Sequence, residues 1–113
     1  MCLSHEHRAE IFASAGFEIA GIKSLGIVST REKTQLPEYA SYRLAMEAVR
    51  EFPGCDVINI NNPSWHVMPN IETIERDSGK IVVSGWGSEV FVALRTLKIK
   101  GPIKGFGKLL EML

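Results

Sequence analysis

Apolar residues recur at helical spacing in several stretches of this sequence, and the first stretch lies near the amino terminus. Ile11, Phe12 and Ala15 fall on one face of a helix, which predicts that they face a core. Ser4 is a suitable N-cap, because its hydroxyl can accept a hydrogen bond from a backbone N–H of the first turn. Gly16 can adopt the left-handed conformation that ends many helices. The chain is therefore predicted to open with a helix that stops at Gly16.

Three short stretches have the composition of β-strands. They are FEIAGI at residues 17–22, DVINI at residues 56–60 and KIVVS at residues 80–84. β-branched and aromatic residues are enriched in strands, and turn-forming residues lie between these stretches. The DVINI stretch is mostly apolar, which predicts burial on both of its faces.

Helical patterns separate the predicted strands. Pro37 can open a second helix because the first turn does not use its missing N–H, and this helix is predicted to end near Pro53. Its inward residues are Leu44, Ala45, Ala48 and Val49. Ile71 and Ile74 lie one turn apart in a third helix that runs to residues 78–79. A fourth helix is predicted through residues 90–94 and a short one in the tail, whereas residues 23–36 are predicted to form a loop.

Strands that alternate with helices predict an α/β fold with a parallel sheet and helices on both faces, a three-layer Rossmann-like or flavodoxin-like lobe. The 113 residues fit a single lobe, residues 1–113. Such a lobe usually begins with a strand, so we expect this one to lack its first strand, which would lie centrally. Ligands bind beyond the carboxyl ends of such strands. Residues 23–36, 61–69 and 85–88 are the loops that qualify.

Composition excludes several classes of function. The 13 basic and 13 acidic residues cancel, which argues against binding to nucleic acid or to an anionic membrane. Two cysteines at positions 2 and 55 are too few for a disulfide scaffold and lack zinc-site spacing. The polar first residues do not form a signal peptide, and no apolar run approaches the roughly 20 residues that span a bilayer. A cytoplasmic location is expected.

Polar and glycine residues follow two of the predicted strands, and they are the candidate ligand-binding positions. The first group could offer amide and hydroxyl donors to an anion, and it comprises Asn61, Asn62, Pro63 and Ser64. The second could hold a carboxylate at the amino end of the next helix, and it comprises Ser84, Gly85, Trp86 and Gly87. Both groups also fit ordinary turns, with Trp86 as a packing residue.

Three further positions carry candidate chemistry. Arg31 in the long loop could pair with a substrate carboxylate, although most surface arginines have no such role. His5 and His7 lie two residues apart, so on a helix they do not share a face and do not form a metal site. No metal and no cofactor are expected.

The ordered set of stretches resembles the carboxyl-terminal half of enzymes in the Asp/Glu racemase superfamily, closest to maleate isomerases and arylmalonate decarboxylases. The stretches are AEIFASAGFEI, SLGIVSTREKTQLPEY, GCDVINI, GKIVVSGWGSEVFVALRTL and GPIKGFGKLL, and they cover nearly the whole chain. The resemblance implies a two-lobed, cofactor-independent enzyme that acts on small carboxylates between its lobes. Each lobe of such an enzyme can offer a catalytic cysteine.

In this sequence the catalytic cysteine position of the family falls at Asn62, and an amide neither titrates nor attacks. The resemblance also implies that the amino-terminal lobe, with the other cysteine, is missing. We therefore expect an isomerase or decarboxylase lobe that binds a small carboxylate and is inactive alone. Two alternatives remain: a non-catalytic carboxylate-binding module, and a homo-oligomeric assembly module in which a second copy completes the exposed sheet.

Overall fold

A computed structural model describes residues 5–61 and 64–113, which form a mixed α/β fold. The helices are α1 (His5–Ser14), α2 (Thr30–Thr34), α3 (Ala40–Glu51), α4 (Ile71–Ser78), α5 (Gly85–Thr96) and α6 (Lys108–Glu111). The strands of the described chain are β1 (Val57–Ile60) and β2 (Ile81–Ser84), and a 3-10 turn covers Met68–Asn70. The predicted fold class, a parallel sheet combined with helices, is confirmed.

The core lies on one face of the sheet. β1 and β2 are parallel, and their register places Ile58 beside Val82. Both side chains are buried against Ile71 and Ile74 of α4 and Ala45 of α3. Ile74 has no exposed surface, and complete burial of such a side chain contributes about 1.5–3 kcal/mol. The helical spacing of Ile71 and Ile74 therefore predicted both the helix and its buried face.

The second face of the sheet is only partly covered, which corrects the prediction that DVINI is buried on both faces. Alternation along a strand sends Val57 and Ile81 to the side opposite Ile58 and Val82. Val57 and Ile81 pair across the register, and they remain 46% and 45% exposed. The apolar run therefore predicted the strand correctly but predicted burial wrongly for one of its two faces.

Residues 17–22 do not form a strand, which corrects the first of the three predicted strands. In the described chain β1 pairs with β2 alone, and residues 18–28 make no backbone–backbone hydrogen bond. A strand exists only when a neighbour accepts and donates its backbone hydrogen bonds, and this stretch has no such neighbour among the described residues. Phe17 and Ile22 are consequently 61% and 47% exposed.

The first helix is likewise not packed on a core. Ile11 and Ala15 are exposed and Phe12 is half-buried, so the predicted inward face was wrong. The predicted stop at Gly16 is confirmed: Gly16 has φ 92°, and the N–H groups of Gly16 and Phe17 donate to the carbonyls of Ala13 and Phe12. The rings of Phe12 and Phe17 meet edge to face at 6.0 Å. This is a Schellman end with its usual apolar contact.

Two contacts attach the following segment to the end of α3. A Cβ on Gly21 would overlap the ring of Phe52, so any other residue there would have to displace that ring. The ammonium of Lys23 lies 2.6 Å from the carboxylate of Glu51. Residues 23–36, predicted as a loop throughout, contain the short helix α2.

The carboxyl-terminal tail is attached to α4 through one carboxylate. Oε1 of Glu75 accepts from the N–H of Val82, and Oε2 accepts from the N–H of Lys108, both at 2.9 Å. Gly107 precedes Lys108, is buried, and lies against Ile71. A single side chain therefore joins α4, β2 and α6.

Candidate functional site

The carboxyl ends of the two parallel strands place two loops side by side. Ile60 and Ser84 pair in the register and are the last residues of their strands, so Asn61 and Gly85 follow at the same edge. A Cβ on Gly85 would lie 3.9 Å from Oδ1 of Asn61, which shows how near the two positions are. The side chain of Asn61 is exposed. Ligands of open α/β sheets bind beyond these strand ends, so the edge between Asn61 and the start of α5 is the candidate ligand crevice.

Ser84 organises the amino end of α5. Its backbone is extended, and its buried hydroxyl accepts a hydrogen bond from the N–H of Gly87 at 3.0 Å. A Cβ on Gly87 would lie 2.9 Å from that hydroxyl, so glycine permits the close approach. Ser84 is thus an N-cap, and it holds the helix start beside Asn61. The positive end of the helix dipole favours an anion there.

The loop after β1 is held in place from behind. The indole N–H of Trp65 donates to the carbonyl of Asn61 at 3.4 Å, and Trp65 packs against the core. The side-chain amide of Asn70 donates to the hydroxyl of Ser41 at 2.8 Å and to the carbonyl of His66 at 3.2 Å. The hydroxyl of Ser41, which is 1% exposed, donates to the same carbonyl at 2.6 Å. These bonds fix the loop to α3.

Ser41 and Asn70 were not singled out from the sequence. Ser41 lies four residues before the inward-facing Ala45, and a small polar residue at such a position is the one available signal of a buried hydrogen bond. The partner of that bond, the carbonyl of His66, is 25 residues away in the chain. His66 contributes its backbone carbonyl to this network.

The remaining predicted site residues are placed as follows. Asn62 and Pro63 lie outside the described residues, and Ser64 is half-buried in the same loop. Trp86 is 51% exposed at the start of α5. Arg31 is exposed on α2, and its side chain makes no hydrogen bond or ion pair within the described chain. The binding roles of all these residues stay predictions.

The described cysteine lies far from the crevice. Cys55 precedes β1, whereas the crevice follows it, and the residues of β1 alone span about 13 Å. Within residues 5–61 and 64–113, no three His, Cys, Asp or Glu side chains are grouped so as to hold a metal ion. In the same part of the chain, no helix is long and apolar enough to cross a membrane.

The perturbed pKa values belong to residues on other parts of the surface. The hydroxyl of Tyr42 donates to the carboxylate of Asp77 at 2.7 Å, which lowers the pKa of Asp77 and raises that of Tyr42. The hydrogen bond to Glu51 raises the pKa of Lys23. The crevice itself offers neutral donors and a helix end, a combination suited to binding an anion.

Comparison with solved structures identifies the fold. Unliganded arylmalonate decarboxylase is similar with a TM-score of 0.85 and 23% identity, over 96% of this chain and 47% of that chain. A second arylmalonate decarboxylase structure gives a TM-score of 0.86 and 23% identity over 96% and 48%. The Gly74Cys mutant of that enzyme, in a sulfate-associated form, gives 0.85 and 24% over 93% and 46%.

This chain therefore has the fold of one lobe of arylmalonate decarboxylase and spans about half the length of those chains. No protein-family model matches the sequence, and no curated protein matches it either.

Proposed function

We propose that this chain is the carboxyl-terminal lobe of a cofactor-independent isomerase or decarboxylase, and that its crevice binds a carboxylate of a small dicarboxylate. The observation that carries the proposal is the juxtaposition of Asn61 with the capped start of α5, in a chain with the fold of an arylmalonate decarboxylase lobe. An amide donor and the positive end of a helix suit one carboxylate group.

The names of the similar structures support this choice of ligand. An arylmalonate decarboxylase acts, by its name, on an arylmalonate, which is a dicarboxylate. One of those structures is associated with a sulfate ion, another oxyanion. These facts concern enzymes that share about 23–24% of their residues with this chain, so they guide the choice of ligand to test.

Binding without turnover is the expected behaviour of the chain alone. The resemblance puts Asn62 at the position of the catalytic cysteine, and an amide cannot move a proton as a thiol can near neutral pH. Cys55 cannot replace that thiol, because it precedes β1 and the crevice follows it. The proposal therefore expects no turnover by the native chain, and it attributes that inactivity to the missing thiol at position 62.

A titration with malonate tests the proposal. Malonate and maleate should shift the backbone amide resonances of Gly85 and Gly87 in an NMR titration at millimolar concentration. Replacing Asn61 removes one donor, so Asn61→Ala should weaken binding about tenfold, which corresponds to roughly 1.4 kcal/mol. The matched control is Asn59→Ala. Asn59 is also an exposed asparagine, and it lies in β1 two residues before Asn61. Absence of shifts at tens of millimolar, or equal weakening by both variants, would overturn the proposal.

The second candidate is a non-catalytic carboxylate-binding module. It is favoured by the position of Cys55, which leaves no thiol at the crevice among the described residues. The two candidates differ in turnover of phenylmalonate and maleate. We would assay the native chain and Asn62→Cys. Product formation by the cysteine variant supports the enzyme lobe, whereas malonate binding with no turnover by either protein supports the module.

A further inference from the structure

The first third of the described chain exposes apolar surface that nothing within the described residues covers. No residue from 7 to 40 is buried, and the core side chains all come from later residues. Large apolar side chains are nevertheless frequent there, and those exposed are Ile11, Phe17, Ile19, Ile22, Leu25, Val28 and Tyr39. Isolated exposed apolar residues are ordinary, but several of them concentrated in one segment indicate an interaction surface.

The total accessible surface area is also larger than expected for a folded chain of this mass. The chain exposes 7785 Å², whereas a folded monomer of 12.5 kDa is expected to expose about 6,200 Å². The radius of gyration, 14.2 Å, also exceeds the roughly 13 Å expected for this length. A specific protein–protein interface buries about 800 Å² on each partner. The excess, on the order of 1,500 Å², is therefore sufficient for a stable dimer.

The backbone of this surface is available for strand pairing. Within the described chain, residues 18–28 make no backbone–backbone hydrogen bond, and no residue between Gly16 and Gly26 has a positive φ. The stretch is held at both ends, by Phe17 against Phe12 and by Lys23 against Glu51. It is therefore presented as an edge with unpaired N–H and C=O groups, which is a template for another strand.

We propose that residues 17–22 form the centre of a homodimer interface, in which the same stretch of a second copy pairs antiparallel with it across a twofold axis, and that neighbouring exposed side chains of residues 11–28 add to the buried area. Such an interface is self-complementary. With the axis at Ile19, Ile19 lies opposite Ile19 of the second copy, Phe17 lies opposite Gly21 and Glu18 lies opposite Ala20. No like charges then oppose each other across the pair, and the net charge of zero adds no repulsion between copies. This dimer does not depend on carboxylate binding.

Sedimentation velocity of the full chain tests the dimer. The native protein should sediment at twice 12.5 kDa at micromolar concentration. Ile19→Lys places two new ammonium groups at the centre of the interface and should give a monomer. Val92→Lys is the control: it replaces an apolar residue on α5 that is 62% exposed, and it should leave the dimer intact. Ile19 precedes every core side chain among the described residues and Val92 is exposed, so both variants should keep the far-ultraviolet circular dichroism of the native chain.

Hydrogen exchange locates the contact. Backbone amides of residues 18–22 should exchange slowly at high protein concentration and quickly after dilution, while the amides of β1 are unchanged. A native chain that stays monomeric at high micromolar concentration would overturn the proposal, whatever else binds the surface. A dimer that survives Ile19→Lys but dissociates with Val92→Lys would also overturn it, because the interface would then lie on α5.

Discussion

Replacing Gly107 by alanine is the sharpest test of how the tail is attached to α4. Gly107 is buried, has φ 90°, and precedes the first residue of α6. An added Cβ would overlap the Cγ2 methyl of Ile71 and lie 3.1 Å from Oε1 of Glu75. Ile71 is 1% exposed, so it cannot move away without disturbing the core. Glu75 is also constrained, because it accepts hydrogen bonds from Val82 and Lys108.

The expected cost has two parts. A non-glycine residue held at positive φ costs about 1–2 kcal/mol. Forcing an extra methyl into a packed site costs about 1–3 kcal/mol more. Gly105 separates these parts, since its φ of 92° is nearly the same and a Cβ there would meet its nearest neighbour, Oε2 of Glu72, only at 4.0 Å. Gly105→Ala should therefore lose about 1–2 kcal/mol, and Gly107→Ala roughly 2–5 kcal/mol.

Urea denaturation followed by circular dichroism measures both losses. The free energies of unfolding of the native chain, Gly105→Ala and Gly107→Ala should fall in that order, with similar slopes against urea. Equal losses in the two variants would show that the contact with Ile71 contributes nothing. Native stability in Gly107→Ala would mean that the tail does not lie against α4 at all.

Three further predictions concern other contacts. In Tyr42→Phe the pKa of Asp77 should rise in a carboxyl NMR titration. The hydrogen bond from the Tyr42 hydroxyl lowers the pKa of Asp77 in the folded protein. The stability that this hydrogen bond contributes is therefore present above about pH 4 and is lost as the pH falls through the pKa of Asp77 in the folded protein. Lys23→Met should lower the backbone order parameters of residues 18–28 in NMR relaxation, because the ion pair with Glu51 is removed, whereas the melting temperature should hardly change. Ile74→Ala should lower the free energy of unfolding by about 2–5 kcal/mol in urea, because Ile74 has no exposed surface.

Local patterns predicted the elements whose causes are local. The spacing of Ile71 and Ile74 fixes one helix face, and Gly79, with φ 70°, ends that helix as predicted. The stretch at residues 17–22 has the residue types of a strand, yet a strand also needs a neighbouring strand to pair with. In a parallel sheet that neighbour comes from a distant part of the chain. Residue type therefore could not show that this stretch is unpaired.

The candidate site likewise has parts that depend on local sequence and parts that depend on distant contacts. Parallel strands end at one edge, so the sequence predicted that the loops beginning at Asn61 and Gly85 are neighbours, and the structure places them so. The bonds from Ser41 and Asn70 to the carbonyl of His66 join segments 25 and four residues apart in the chain. These hydrogen bonds depend on how α3 packs against the loop, and no sequence motif predicts that packing.

The core and the candidate crevice both lie after residue 40, which leads to a last prediction. Deleting residues 1–36 removes no buried side chain among those described, although it does remove the packing of Gly21 on Phe52 and the ion pair of Lys23 with Glu51. The fragment 37–113 should therefore unfold in urea near the midpoint of the full chain and bind malonate equally well, while remaining monomeric. A fragment that fails to fold would show that the exposed first third stabilises the core. A fragment that still dimerises would place the interface elsewhere.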